Sequence, residues 1–149
     1  SWLWNLILDG WIKRNTRPEQ RAEVGLKVGA LTFPVGLDPD QRKLIDGTAI
    51  PLPSSRTTVP DGPLGEIAVE VLAAFGLTWA DMRVKKLKDV FFSKGSRAPL
   101  IPLGDVASEV VDDDLHRGRK AVRLEFSLPK GAYATMLVKR LTEAAGPGS

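Results

Sequence analysis

The chain has 149 residues, of which 43% are hydrophobic and four are Trp, which is enough for one domain with a real core. Its 21 basic and 18 acidic residues leave a net charge of +3, which permits a polyanionic partner without requiring one. With no Cys and one His, the composition excludes a disulfide framework and thiolate chemistry and leaves almost no ligands for zinc. The apolar N-terminal segment is too short to span a membrane and has no basic leader, so the sequence predicts a soluble protein.

The first segment, residues 1–12, is predicted to be a helix buried on more than one side, because apolar residues lie on almost all of its faces. Asn5 is the polar exception. An unpaired amide inside a fold would cost roughly 1–3 kcal/mol, so we expect Asn5 to bind a neighbouring loop, with substrate contact as the alternative. A chain that begins without Met on a buried helix is expected to be a fragment.

Turn residues, proline and capping patterns divide the rest of the N-terminal two thirds into short elements. In chain order, the predicted elements are one or two strands between Val24 and Phe33, a helix from Pro39 to Ile45 behind an Asp38 N-cap, a strand from Thr48 to Leu52, a loop from Pro51 to Pro63, a helix with a buried stripe from Leu64 to Phe75, a helix from Trp79 to Lys88 and a strand from Pro99 to Leu103.

A basic run begins on the outward face of the predicted Trp79 helix and continues beyond it. Between residues 83 and 97 there are six positive side chains and one acidic residue. A solvated helix face is the ordinary explanation, and contact with nucleic-acid phosphates is the alternative. The acidic triplet Asp112–Asp114 lacks the glycine and distal Glu of a calcium loop, so a solvated acidic turn is expected there. The six basic residues are Arg83, Lys85, Lys86, Lys88, Lys94 and Arg97.

The stretch from Lys120 to Leu141 is predicted to form a strand, a tight turn and a helix. Apolar residues from Val122 to Leu128 alternate with charged or polar ones, which is typical of a half-buried strand. Pro129 ends the strand, a Lys-Gly pair makes the turn, and a helix follows from Ala132 to Ala145. Its apolar stripe contains Tyr133, which spacing alone would make a core residue.

Three segments carry a resemblance to a known family. LEFSLPKGAYATMLVKRL, residues 124–141, resembles the closing motif of the tRNA pseudouridine synthase D (TruD) family, with Leu-Pro, a small residue, Gly, an aromatic residue and Ala-Thr before a helix. SWLWNLILDGWI, residues 1–12, resembles a family helix, and KGSRAPLIPL, residues 94–103, is similar to a Gly-x-Arg-x-Pro-Leu segment. The resemblance implies an α+β fold with a mixed or antiparallel sheet and packed helices.

The resemblance also implies how the chain divides between two domains and which reaction the family catalyses. Residues 1–118 would be the later part of an inserted domain, and residues 119–149 the strand, turn and helix that complete a catalytic domain. The family converts uridine in RNA, typically tRNA, to pseudouridine without a metal or organic cofactor. Tyr133 would stack on the extruded uracil. Arg97 would face RNA or brace its loop. Lys130 and Arg123 flank the turn and would bind backbone phosphate. The remaining candidate RNA contacts come from the basic run and not from the resemblance: Lys94, Arg83, Lys85, Lys86 and Lys88.

The catalytic Asp of the family lies in an upstream motif that this sequence lacks. We therefore expect a companion: the upstream half of the catalytic domain, or another protein that covers an open sheet edge. The alternative is a non-catalytic RNA-binding or scaffolding module derived from the same fold. In either case we expect an intracellular protein with no membrane partner. The aspartates that match no catalytic motif are Asp9, Asp38, Asp61, Asp81 and Asp112.

Overall fold

A computed structural model describes residues 2–54, 56–82 and 95–143 of the chain. Within these ranges the strands form three two-stranded antiparallel sheets beside four α-helices, which confirms the predicted α+β class. Single turns of 3-10 helix lie at Pro18–Gln20 and Trp79–Met82. The elements are α1 (Trp2–Asn15), β1 (Arg21–Leu26), β2 (Gly29–Pro34), α2 (Pro39–Asp46), β3 (Ile50–Pro51), α3 (Pro63–Ala73), β4 (Ser96–Arg97), β5 (Gly104–Asp112), β6 (Lys120–Ser127) and α4 (Ala134–Glu143).

The chain divides into two compact units, and each is described by itself. The first comprises Ser1–Leu100 with Val138–Ser149, and the second Ile101–Leu137. No helix in the described part of the chain is both long enough and apolar enough to cross a membrane.

The core of the first unit lies between α1, β3 and α3. The apolar faces of α1 that the sequence predicts to be inside are buried or half-buried, and Ile7 is fully enclosed. Gly10 of α1 permits a close approach to α3, because a Cβ at this position would lie 2.7 Å from Cγ2 of Ile67. The core cluster is Trp4, Ile7, Trp11, Ile50, Leu52, Leu64, Ile67 and Ala68.

Polar side chains attach the surrounding elements to α1. A carboxylate oxygen of Asp9 accepts a hydrogen bond from the backbone N–H of Thr32 in β2 at 2.6 Å, and Lys13 pairs with the same carboxylate at 2.9 Å. Gln20 and Gln41 exchange two amide hydrogen bonds of 2.7 and 2.9 Å, which join the start of β1 to α2. Buried amide groups paired in this way fix one arrangement of the elements, because any other leaves them unpaired.

The predicted cap of α2 is confirmed. Asp38 has an extended backbone, and its carboxylate accepts the N–H of Gln41 at 2.8 Å. Pro39 occupies the first turn, where a missing N–H costs nothing. Of the one or two strands predicted between Val24 and Phe33, two are present, as the hairpin of β1 and β2.

The second unit is built on the hairpin of β5 and β6. The strands pair from Gly104 opposite Ser127 to Asp112 opposite Lys120, with one irregularity between Gly104 and Ala107. Val110 lies opposite Val122, and the two side chains are 69% and 63% exposed. The alternation that predicts β6 is therefore confirmed, but much of its apolar face is open to solvent within this unit.

Two predictions about elements are corrected or curtailed. The strand at Pro99–Leu103 is wrong: those residues are irregular, and β5 begins directly after them. Pro99 and Pro102 have no N–H to donate to a neighbouring strand, which explains the difference. Only Trp79–Met82 of the predicted helix to Lys88 is described, as a 3-10 turn, and the remainder lies outside the described residues.

The helix stripes also differ from prediction at two places. Phe75 follows the end of α3 and is 51% exposed instead of buried. No residue of α4 is buried, and Tyr133, just before its first turn, is 72% exposed. Helical spacing identifies an apolar face, but it does not say whether the same chain covers that face.

Candidate functional site

Tyr133 is placed by a turn that leaves its ring in solvent. After β6, Gly131 adopts a φ of 92°, a conformation that favours glycine. The N–H of Ala132 donates to the carbonyl of Pro129, and the N–H of Met136 donates to the carbonyl of Tyr133, both at 3.1 Å. The backbone on both sides of the ring is thus hydrogen-bonded, although the ring itself is largely exposed. This arrangement presents an aromatic face from a defined backbone position.

The basic residues near this turn differ in how much of their charge is available. Arg123 of β6 pairs with Glu109 of β5 at 2.6 Å, and Lys120 pairs with Asp112 at 2.6 Å. Lys130 in the turn is exposed, and no ion pair of its side chain is found in the described part of the chain. Of the two residues predicted to contact RNA here, Lys130 is the one with an uncommitted charge.

Arg97 is held in the first unit by contacts of two kinds. Its strand, β4, pairs with β3, so that Arg97 lies opposite Ile50. Its guanidinium lies over the ring of Trp4, 5.9 Å from the centroid, which is cation–π distance. The indole N–H of Trp4 in turn donates to the carbonyl of Ile50 at 3.0 Å. Trp4 therefore fixes both the strand opposite Arg97 and the position of the exposed guanidinium.

Replacing Trp4 with Phe is expected to lower the free energy of unfolding by about 1–3 kcal/mol, because the buried carbonyl of Ile50 loses its only side-chain donor in the described structure. Urea denaturation of the variant measures this loss. Trp79→Phe, which removes the 2.7 Å bond from a half-buried indole to the carbonyl of Thr57, is the matched control and should cost less. An equal cost for both would contradict the greater weight given to the buried bond.

The structure gives less information about the other predicted site residues. Asn5 is half-buried in α1, and no hydrogen bond of its amide is recorded among the described residues, so its role as a loop anchor stays a prediction. The basic residues Arg83, Lys85, Lys86, Lys88 and Lys94 lie outside the described residues.

Most of the aspartates have structural partners. Asp9 binds the N–H of Thr32 and pairs with Lys13, and Asp38 caps α2. Hydrogen bonds from the hydroxyl and then the backbone N–H of Thr78 lower the pKa of Asp81. These contacts support the interpretation that none of these carboxylates is a nucleophile. Residues 2–54, 56–82 and 95–143 contain no group of three or more side chains suited to hold a metal ion.

Comparison with known proteins identifies the class. The family model for tRNA pseudouridine synthase D (TruD) matches residues 42–141, which include the strand, turn and helix around Tyr133. A crystal structure assigned to TruD of Methanosarcina mazei superposes with a TM-score of 0.59 and 28% identity over 96% of this chain and 36% of that one. The class is thus an α+β portion of a pseudouridine synthase fold. The chain belongs to the TruD family.

Two named relatives give the extent of the match. "Probable tRNA pseudouridine synthase D" of Methanopyrus kandleri is 34% identical over 97 residues, 65% of this chain and 23% of that protein. "Probable tRNA pseudouridine synthase D 2" of Methanocaldococcus jannaschii is 27% identical over 145 residues, 94% of this chain and 33% of that protein. The chain therefore spans about a quarter to a third of the length of these relatives.

Proposed function

We propose that this chain is part of an RNA pseudouridine synthase that isomerises uridine in tRNA, and that Tyr133 stacks on the uracil. Membership of the family and the names of its relatives support the reaction. The observation that carries the assignment of Tyr133 is its exposed ring, presented at the start of α4 within the matched segment. A core aromatic could not offer a face to a base.

Base stacking would offset a specific energetic cost of this reaction, the extrusion of the uridine. The uridine must leave the base stack before its glycosidic bond can be cleaved and remade, and extrusion costs a few kcal/mol. An aromatic ring returns roughly 1–3 kcal/mol per stacked base. In this proposal Tyr133 recovers much of the extrusion cost and holds the detached base while it rotates. As the family resemblance implies, the proposed reaction uses no metal or organic cofactor.

The catalytic Asp is proposed to come from a segment present in the relatives beyond the matched length. The engaged aspartates, such as Asp9 and Asp38, support this division of labour. The open apolar face of the β5–β6 hairpin supports it as well, because a two-stranded hairpin is marginal in water unless its face is covered. We infer that the segment with the Asp, or a separate protein, covers Val110 and Val122.

The domain division follows the same proposal. Residues 1–118 would belong to the inserted domain and residues 119–149 to the catalytic domain. β5 lies on the first side of this boundary and pairs with β6 on the second, so the proposed boundary divides a hairpin.

The proposed RNA contacts have unequal support. Arg97 and Lys130 are exposed with positioned backbones, so they are the strongest of them. Arg123 would have to exchange Glu109 for a phosphate. For RNA contact by the basic residues from Arg83 to Lys94, the sequence pattern is the only support.

The second candidate is a non-catalytic RNA-binding or scaffolding module. The structural partners of Asp9, Asp38 and Asp81 favour it, because these three carboxylates are already engaged in the described structure. This candidate predicts that the chain binds RNA and that no pseudouridine forms under any condition.

One experiment tests the proposal against this alternative. The chain is combined with the proposed upstream segment, taken from a relative, covalently or as a separate polypeptide, and incubated with unmodified tRNA transcripts. Pseudouridine is quantified by nucleoside chromatography after digestion. Product from the combination and none from either part is the expected result. RNA binding without product from the combination would overturn the enzyme proposal and support the module.

A further inference from the structure

The turn that joins β5 to β6 is a hydrogen-bonded and mostly exposed loop, here called the hairpin tip (residues 113–119). The N–H of Asp113 donates to the carbonyl of Arg119, and the N–H of Arg119 donates to the carbonyl of His116, both at 3.0 Å. A carboxylate oxygen of Asp113 accepts the N–H groups of Leu115 and His116 at 2.8 and 3.0 Å. The backbone of the tip is therefore held in one defined conformation.

Most carboxylates at the tip are already engaged, whereas its arginines are not. Asp112 pairs with the first residue of β6 at 2.6 Å, and the carboxylate of Asp113 binds the turn backbone. Arg117 and Arg119 are exposed, and neither forms an ion pair with a carboxylate in the described part of the chain. Only Asp114 opposes them, so the uncommitted charge of the tip is positive.

The strands below the tip hold it in place. The pairing of β5 with β6 runs without irregularity from Ala107 to Asp112. Glu109 and Arg123, which lie opposite each other, also pair at 2.6 Å. A loop that is ordered before binding loses little conformational freedom when a partner arrives. The two free arginines of the tip are therefore carried on a preorganised backbone.

The chemistry of the tip is suited to phosphate. Each guanidinium offers a planar fork of N–H donors that matches the oxygens of a phosphate group. The tip and the turn before Tyr133 lie at opposite ends of β6, which has eight residues. At about 3.4 Å per residue, β6 spans about 24 Å. This length corresponds to about seven base-pair steps of a duplex at about 3.4 Å each. The tip is thus too far from Tyr133 to contact the same nucleotide.

We propose that Arg117 and Arg119 of the hairpin tip bind backbone phosphates of the RNA substrate, several nucleotides away from the uridine that stacks on Tyr133. The identity of the polyanion rests on the proposed function, because the matched family is named for a tRNA pseudouridine synthase. An acidic surface on the proposed upstream segment is the competing partner, and the experiment below separates it from RNA.

Binding of a tRNA transcript to the chain, measured by fluorescence anisotropy over a range of salt concentrations, tests the tip directly. Arg117→Gln and Arg119→Gln are each expected to reduce the log–log salt slope by about 0.7–0.9, which is the contribution of one phosphate contact. Each should weaken binding about 5- to 8-fold at about 0.1 M salt, because a slope of that size contributes this factor between about 1 M and 0.1 M.

Two control variants separate the tip from net charge and from folding. Arg17→Gln removes the same charge from the first unit, where Arg17 pairs with Glu19 at 2.9 Å, and should keep the slope of the wild type. Asp114→Asn removes the opposing charge at the tip and should tighten binding. All of these substitutions are at exposed positions, so the unfolding midpoint should be unchanged in each variant.

Three results would overturn the proposal. The first is an unchanged affinity and slope in the Arg117→Gln/Arg119→Gln double variant. The second is the absence of measurable tRNA binding by the wild-type chain at low salt. The third is unchanged tRNA binding together with weaker association of the double variant with the upstream segment, which would assign the tip to a protein contact.

Product formation, measured with the upstream segment supplied, is scored separately. The double variant should raise KM and leave kcat nearly unchanged, because the tip lies far from the reacting base. A reduced salt slope without any pseudouridine from the wild type would contradict the proposed function alone. Pseudouridine formed by the double variant with the KM and the salt slope of the wild type would contradict this inference alone.

Discussion

Tyr133→Ala is expected to lower kcat/KM for pseudouridine formation by about 5- to 150-fold, whereas Tyr133→Phe should retain most of the activity. The range follows from the roughly 1–3 kcal/mol contributed by stacking one base on an aromatic ring, at 1.36 kcal/mol for each factor of ten. Phe preserves the ring and removes only the hydroxyl. Steady-state kinetics on a tRNA transcript, with the proposed upstream segment supplied, measure the effect.

The control for this prediction is Phe75→Ala. Phe75 is also an exposed aromatic residue, but it follows α3 in the first unit and outside the strand–turn–helix. It should change activity by less than about twofold. Because Tyr133 is 72% exposed, neither of its variants should shift the unfolding midpoint appreciably. Full activity in Tyr133→Ala would refute the stacking role, and equal losses in the Ala and Phe variants would assign the effect to the hydroxyl.

The elements that sequence predicts well are those whose signals are local. Asp38 followed by Pro39 specifies a helix start within a few residues, and the observed cap has that geometry. The alternation in β6 likewise lies in consecutive residues, and the strand forms there. The family motif is local in the same sense. The segment around Tyr133 is therefore recognisable in the sequence alone.

In β5, acidic residues obscure the sequence pattern that would predict a strand. Val106, Val110 and Val111 have the branched side chains that strands favour, but they alternate with acidic and small residues and end in an acidic triplet. The sequence therefore predicts no strand here, only a solvated turn at Asp112–Asp114. Pairing with β6 decides the outcome, and two ion pairs across the hairpin, Arg123 with Glu109 and Lys120 with Asp112, explain why charged residues are tolerated in the strand.

The candidate sites depend on contacts that no sequence pattern encodes. Helical spacing placed Tyr133 in an apolar stripe, but exposure depends on what else packs against α4, which is a tertiary property. The contact of Arg97 with Trp4 joins residues from opposite ends of the first unit. Such sites become visible after the chain has folded.

Gly65→Ala is expected to lower the free energy of unfolding by about 2 kcal/mol or more. Gly65 is buried in the first turn of α3, and a Cβ there would lie 1.9 Å from the carbonyl oxygen of Pro60. Overpacking usually costs about 1–3 kcal/mol, and this contact is with backbone, which cannot rotate away as a side chain can. The better helix propensity of Ala returns only about 1 kcal/mol. Urea denaturation at constant m-value measures the difference.

The matched control is Gly25→Ala in β1, where a Cβ would meet nothing within 4 Å and the backbone does not adopt a positive φ. It should be neutral or stabilising by up to about 1 kcal/mol, because Ala restricts the unfolded chain more than Gly does. The carbonyl of Thr57, in the loop before α3, accepts a hydrogen bond from the indole N–H of Trp79 at 2.7 Å, so moving Pro60 would strain a second contact. Equal stability of the two variants would mean that this loop yields at little cost and does not fix the first turn of α3.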